Sequence, residues 1–289
     1  MGPFGDSASS YGQRRGGVRW WVLVLAALYM GYYYFSHQQA VPVTGRKQLV
    51  DISPEQEAQL GFQSYQEVLR ESQVVAPGQT VDQVRGIGQR IVAAARKLAP
   101  DAHWDTYAWE FNLIRSDQAN AFCLPGGKVA VYTGILPVVQ NGNALAVVMG
   151  HEIAHAIARH GAERMAQQKL VQIGTVAAGM STSDMDPRQQ QMVMAALGAG
   201  LQYGLMLPFS REHESEADHM GLLFAAAACF DPREAPRLWE RMGQQGGQRP
   251  PEFASTHPSG ETRIRQLNEW MPEALRLYQE NCSQPLPAP

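Results

Sequence analysis

The chain has 289 residues, 45% of them hydrophobic, with 24 Lys and Arg against 27 Asp and Glu for a formal net charge of −3. That length supports one sizeable core with appendages, and the near-balance of charge offers no basic footprint, so nucleic acid is excluded as a partner. The three cysteines, Cys123, Cys229 and Cys282, lack the C-x-x-C spacing of a structural zinc site and allow at most one internal disulfide.

Residues 1–17, rich in Gly, Ser and Arg, are expected to be a disordered segment on the cytoplasmic side. Arg14, Arg15 and Arg19 precede an apolar, aromatic run that opens on Trp20-Trp21 and closes on Tyr32-Tyr33-Tyr34. Residues 18–35 therefore predict a transmembrane anchor or signal, about 18 residues long, in preference to a buried core helix. No small-x-small cleavage pattern follows, so the expectation is an uncleaved, single-pass anchor in a bacterial inner membrane. The positive-inside rule then puts the folded domain in the periplasm or an equivalent compartment, with a cleaved signal and a soluble periplasmic domain as the alternative.

Residues 36–50 read as a tether, residues 51–280 as the folded domain and residues 281–289 as a proline-rich tail. Ser53-Pro54-Glu55-Gln56 predicts a capped helix through about Ser72. Thr80 to Gln83 is a second helix start, with Val84, Ile87, Ile91 and Leu98 on one face. Between 108 and 136 the period changes to alternation, and Pro125-Gly126-Gly127 forms a turn before Lys128-Val129-Ala130-Val131-Tyr132, so a small sheet is expected. Asn141-Gly142-Asn143 predicts the cap of a long helix running on towards Gln168. The apolar stretches 171–180 and 192–206 are each too short to span a bilayer. They are expected to pack on the core or shield the site, in preference to lying on a membrane surface. Further helices are predicted from Ser210 and over about 232–243 and 260–280. The fold class is α+β, predominantly helical with a small sheet.

The chemistry lies in H-E-I-A-H at 151–155. Positions i and i+4 share a helix face, so His151 and His155 can offer two imidazoles to one tetrahedral zinc ion. Glu152 lies beside that face, placed to take a proton from a zinc-bound water whose pKa the metal lowers. Val147, Val148, Ile153 and Ile157 seat the helix on a core. A catalytic zinc needs a third protein ligand, and the densest acidic run downstream is Ser210-Arg211-Glu212-His213-Glu214-Ser215-Glu216-Ala217-Asp218. Spacing leaves the choice among Glu212, Glu214 and Glu216 open, although Glu214 and Asp218 stand at i and i+4, so that Asp218 can orient a ligating histidine if Glu214 reaches the metal.

These segments resemble peptidase family forty-eight, which includes the HtpX heat-shock protease and the CAAX prenyl protease. The resemblance is carried by His151 to His160 and Ser210 to Asp218, joined by Pro42-Val43-Thr44-Gly45-Arg46, Asn120-Ala121-Phe122 and Ser255-Thr256-His257-Pro258-Ser259. It is strongest to the single-anchor, quality-control members of mitochondria and the bacterial periplasm. It implies a zincin-like (gluzincin) domain, Glu214 as the third metal ligand and Asp218 as the carboxylate behind it. It also implies a catalytic role for His257, as oxyanion donor or as a group that approaches zinc in a closed state. Residues 128–132 are implied to be the sheet edge that binds substrate as an added strand. His160, also part of the resemblance, lies too far along the helix to share the face of His151 and is expected to be structural. Cys229 stands where relatives have glycine, and in an oxidising compartment it can pair with Cys282.

The expected activity is zinc-dependent endoproteolysis of misfolded or damaged envelope proteins. The competing reading is a zinc-bound chaperone or assembly factor that holds unfolded strands, which an intact Glu152 disfavours. A membrane-embedded protease of lipidated tails would require several spanning helices.

Overall fold

The computed structural model describes residues 18–202, 206–244, 253, 257 and 260–286. The segment expected to be disordered, 1–17, the end of the tail and most of 255–259 lie outside the described residues. The chain divides into two compact units, residues 37–166 with 208–289 and residues 1–36 with 167–207.

The larger unit opens with a short antiparallel pair, β1 (Gln38–Ala40) and β2 (Lys47–Leu49), where the sequence predicts only a tether. Helix α2 (Pro54–Glu71) starts at the expected capping box: Ser53 Oγ accepts from the Gln56 amide and the Gln56 side chain accepts from the Ser53 amide, both at 3.3 Å. After β3 (Gln73–Val74), α3 (Gln79–Leu98) is capped at Gly78 without a side-chain bond, not at Thr80. Its Val84, Ile87 and Ile91 are buried as predicted.

Strands β4 (Glu110–Arg115), β5 (Ala121–Leu124) and β6 (Lys128–Tyr132) join β3 in a sheet of order β3-β4-β6-β5. Gly126 (φ 76°) and Gly127 (φ 81°) supply the left-handed backbone of the β5–β6 turn. The expectation that Lys128 to Tyr132 forms the substrate-binding edge is corrected by this topology. Strand β6 is bonded on both sides, parallel to β4 (Phe111 opposite Val129) and antiparallel to β5 (Cys123 opposite Val129). Its hydrogen-bonding groups are therefore occupied, and Val129, Ala130 and Val131 are fully buried. The Lys128 ammonium donates to the Ala108 carbonyl at 2.5 Å. The sheet's edge on that side is β5.

The short α4 (Leu136–Val139) leads to α5 (Gly142–Ile157), whose Asn141 cap accepts from the Ala144 amide at 2.9 Å. Helix α5 is buried almost all round, which is why its sequence is apolar on every face except at the metal motif. It does not run on to Gln168: Arg159 adopts φ 60° and a new helix, α6, spans His160–Ser181. After α7 (Pro187–Leu201), α8 (Leu207–Ala227) carries the acidic run, followed by α9 (Glu234–Gln244) and α10 (Glu261–Asn281). Helix α8 ends with Cys229 at φ 62°, the left-handed stop at which glycine is usual, and the Phe230 amide donates to the Ala225 carbonyl. Cys229 is disulfide-bonded to Cys282 just past α10.

The smaller unit contains α1 (Trp20–Ser36), the C-terminal part of α6 and α7. Arg19 fixes the start of α1 by a two-bond pair with Asp184 at 2.8 and 2.9 Å, and Asp186 caps α7. The predicted spanning helix is not found. Helix α1 has 17 residues, about 25 Å at 1.5 Å per residue, against a hydrocarbon core of about 30 Å. Among the described residues no helix is long and apolar enough to cross a membrane. Helix α7 is also not the core helix expected for 192–206, since none of its residues is buried.

Candidate metal centre

Two helices meet at the site because two glycines let them. A Cβ on Gly150 would lie 2.8 Å from the Gly221 carbonyl oxygen, and one on Gly221 would lie 2.7 Å from the His151 amide nitrogen. At that crossing α8 brings Glu214 and Asp218, seven and three residues before Gly221, over His151 and His155 of α5. Their spacing puts all three on one helical face.

His151 Nε2 and His155 Nε2 stand 3.0 Å apart. Glu214 Oε2 is 3.4 Å from the first and Glu214 Oε1 3.4 Å from the second. His257 Nδ1 completes the group, 3.1 Å from His151 Nε2 and 2.8 Å from Glu214 Oε2. Glu152 is buried alongside, with Oε1 3.4 Å from His257 Nε2 and no hydrogen-bond partner among the described residues. Asp218 lies behind His151, its Oδ1 2.9 Å from Nδ1. The structure thus brings together His151, Glu152, His155, Glu214, Asp218 and His257, and leaves 128–132 in the interior of the sheet.

This donor set fits a divalent metal. The ligand atoms of His151, His155, Glu214 and His257 all lie within 4.8 Å of one another. Bonds of about 2.0–2.1 Å to a tetrahedral ion require ligand separations of about 3.3 Å, and the separations just given run from 2.8 to 3.4 Å. The Nδ1 position of His151 faces a carboxylate that can only accept, so a hydrogen sits there and Nε2 is the atom turned toward the other donors. Ligand atoms converging this closely in a largely buried site favour a positive charge among them.

Electrostatics agree. Burial by itself lowers the His151 pKa, but the hydrogen bonds its ring donates to Asp218 and Glu214 outweigh it and raise it to about 9, so the pocket favours positive charge beside these carboxylates. Burial dominates at His155 and, with His151 and His160 nearby, lowers its pKa to about 3 against the pull of Glu214. Burial opposes ionisation of Glu214 and Asp218, yet the histidines hold Glu214 far below the usual carboxylate range, and Arg263 with His151 hold Asp218 below it. Both carboxylates are ionised.

Three contributions escape a reading of the sequence. Arg263 of α10 clasps Asp218 with Nε and a terminal nitrogen, each at 2.5 Å, and lies over the Trp239 ring at 3.4 Å; no spacing announces a residue 45 positions away. Gly150 and Gly221 were findable in principle, since glycine inside a helical pattern signals close backbone approach. His160, expected to be structural, lies with Nδ1 2.7 Å from His155 Nδ1.

Comparison with known proteins agrees with this geometry. The model of peptidase family M48 matches residues 84–271. The chain is 39% identical over 249 residues to the mitochondrial metalloendopeptidase OMA1 of Schizosaccharomyces pombe, covering 84% of this chain and 69% of that protein. It is 33% identical over 276 residues to the protein of the same name from Saccharomyces cerevisiae, covering 90% and 77%. It is 30% identical over 214 residues to the beta-barrel assembly-enhancing protease of Escherichia coli, covering 72% and 42%. The chain belongs to peptidase family M48 and is a metalloendopeptidase, an enzyme that hydrolyses peptide bonds.

Proposed function

We propose that the chain is a zinc endopeptidase that cleaves unfolded or misfolded proteins at internal bonds, as protein quality control at a membrane surface. The reading is carried by the meeting of His151 Nε2, His155 Nε2 and the Glu214 carboxylate beside the buried Glu152. Two imidazoles and one carboxylate are the donor set of a catalytic zinc, which when bound lowers the pKa of a water and polarises a peptide carbonyl.

The chain's own groups do the rest. Glu152 accepts the proton of the attacking water on a carboxylate oxygen and passes it to the leaving amine. Asp218, held by Arg263, keeps the His151 hydrogen on Nδ1 and so keeps Nε2 free for the metal. His257 would be the fourth residue able to hold the metal, and in the substrate complex its ring would donate an N–H to the developing oxyanion. The substrate backbone adds to β5, the sheet edge beside α5, as an extra strand.

Helix α1 supports membrane association: Trp20, Trp21, Leu25, Leu28, Tyr32 and Phe35 are all exposed, an apolar surface suited to a lipid interface. The Cys229–Cys282 pair supports an oxidising compartment. The relatives are named for mitochondria and for β-barrel assembly, which favours substrates among proteins of membrane-bounded compartments.

The test uses the full chain loaded with zinc and an unfolded casein substrate. Wild type should produce internal cleavages, a chelator should stop them, and Glu152→Gln should retain one zinc per chain while losing turnover by about 10³-fold or more. Equal turnover by the variant would refute the mechanism. Binding of casein without cleavage by the zinc-loaded wild type would favour the chaperone reading.

A further inference from the structure

Helices α5 and α6 would be one helix but for Ala158-Arg159. Arg159 takes φ 60°, and its buried guanidinium is held there by Glu57 at 2.7 Å, the Ile52 carbonyl at 2.7 Å and the Gln39 side chain at 3.0 Å. On a continuous helix His160 would sit about 140° round the axis from His155, at 100° per residue. The break turns it back toward the site.

There the hydrogen-bond roles follow from the acceptor at the far end. His160 Nε2 lies 2.9 Å from Glu216 Oε2, an oxygen that already accepts from Arg46 Nε, so the His160 hydrogen sits on Nε2. Its Nδ1 is then a lone pair facing His155 Nδ1 at 2.7 Å, and His155 must be the donor. A hydrogen on His155 Nδ1 leaves His155 Nε2 bare, facing His151 Nε2 and Glu214 Oε1. The opposite arrangement would put an N–H into the metal position.

Glu216 is itself fixed, accepting from the Thr44 hydroxyl and from Arg46 Nε at 2.8 Å. Arg46 extends the chain of contacts to Glu163 with bonds of 3.0 and 2.6 Å, and His213, whose ring stacks on His160 at 4.5 Å, also meets Glu163 at 2.8 Å. His160, Glu163, His213 and Glu216 are all buried.

We infer that His160 is a positioning residue of the metal site, fixing through Glu216 and Arg46 the tautomer and ring orientation in which His155 offers Nε2 to the metal. The two ligating histidines are thus served differently: His151 by a carboxylate directly, His155 by a carboxylate acting through a second imidazole. This rests on the metal-binding reading proposed above.

The experiment measures zinc dissociation constants by chelator competition on the full chain, with folding followed by circular dichroism. His160→Leu should bind zinc about 10- to 100-fold more weakly than wild type. His160→Asn, whose side-chain oxygen can accept from His155 Nδ1–H, should recover most of that loss. Leu and wild-type affinities within twofold overturn the inference, as does an Asn variant no better than Leu, which would reduce His160 to packing. If His160→Leu does not fold, Glu216→Leu, which removes the acceptor at His160 Nε2, takes its place, with about tenfold weaker binding expected and unchanged binding overturning the inference. Failure of wild type itself to bind zinc would instead refute the metal-site reading.

Discussion

Gly150 and Gly221 press backbone against backbone where α5 crosses α8, leaving no room for a side chain on either. That contact sets the distance between the helix that carries His151 and His155 and the helix that carries Glu214 and Asp218. The metal centre is therefore a property of a helix crossing as much as of its ligands.

Gly221→Ala tests that relationship. The new methyl would meet the His151 amide and Cα at 2.7–2.8 Å, both backbone, so the helices must separate. The expected cost is about 1–3 kcal/mol of stability, read as a lower thermal midpoint, together with weaker zinc retention than wild type. Gly161→Ala, where nothing lies within 4 Å of the added methyl, is the control and should leave zinc retention unchanged.

Arg263 separates positioning from ligation. Arg263→Leu leaves Asp218 buried without its clasp, and should weaken zinc binding by about 10- to 100-fold. Glu214→Ala, which deletes a ligand, should leave the purified protein essentially free of zinc by elemental analysis. Equal zinc content in Glu214→Ala and wild type would remove Glu214 from the site.

Glu163 carries an acid sensitivity distinct from the ligands. Burial raises its pKa, but His213 and Arg46 outweigh that and lower it to about 2 from an ordinary 4.5. A depressed carboxylate stabilises the fold above pH 4.5 and loses that contribution as pH falls from 4.5 towards 2. The stake is about 3 kcal/mol. Denaturant midpoints should fall more steeply over this window for wild type than for Glu163→Gln, and parallel curves would contradict the assignment.

The Cys229–Cys282 bond closes a loop with a sequence separation of 53, for which chain entropy gives about 4 kcal/mol. Cys229→Ser with Cys282→Ser should lower the thermal midpoint by several degrees yet retain zinc and casein cleavage well below the transition. Loss of zinc at temperatures where the double variant remains folded would tie the disulfide to the site itself.

The local readings that succeeded share one feature: their cause lies within a few residues. Ser53 and Gln56 box the start of α2, Asn141 caps α5, and Gly126-Gly127 turn β5 into β6. The readings that failed involve partners remote in sequence. A left-handed Arg159 is not foreseeable from its neighbours, because Glu57, Gln39 and Ile52 hold it there. Strand β6 looks like an edge until β4 is found paired to its other side. The apolar run after Arg19 has the composition of an anchor but forms a helix of 17 residues, since the hydrophobic signal reports what avoids water and not how far a helix extends.

By itself the sequence determined the metal helix: periodicity places His151 and His155 on one face with Glu152 beside them, and helix geometry permits no other arrangement. It also put Glu214 and Asp218 at i and i+4 along a second helix, although spacing left the choice among Glu212, Glu214 and Glu216 open. Tertiary structure alone decided that those helices meet, through Gly150 and Gly221, and that Arg263 and His160 stand behind the ligands. Ligand faces are written at a spacing of four residues, whereas the groups that orient them are chosen by packing between segments 45 to over 100 positions apart.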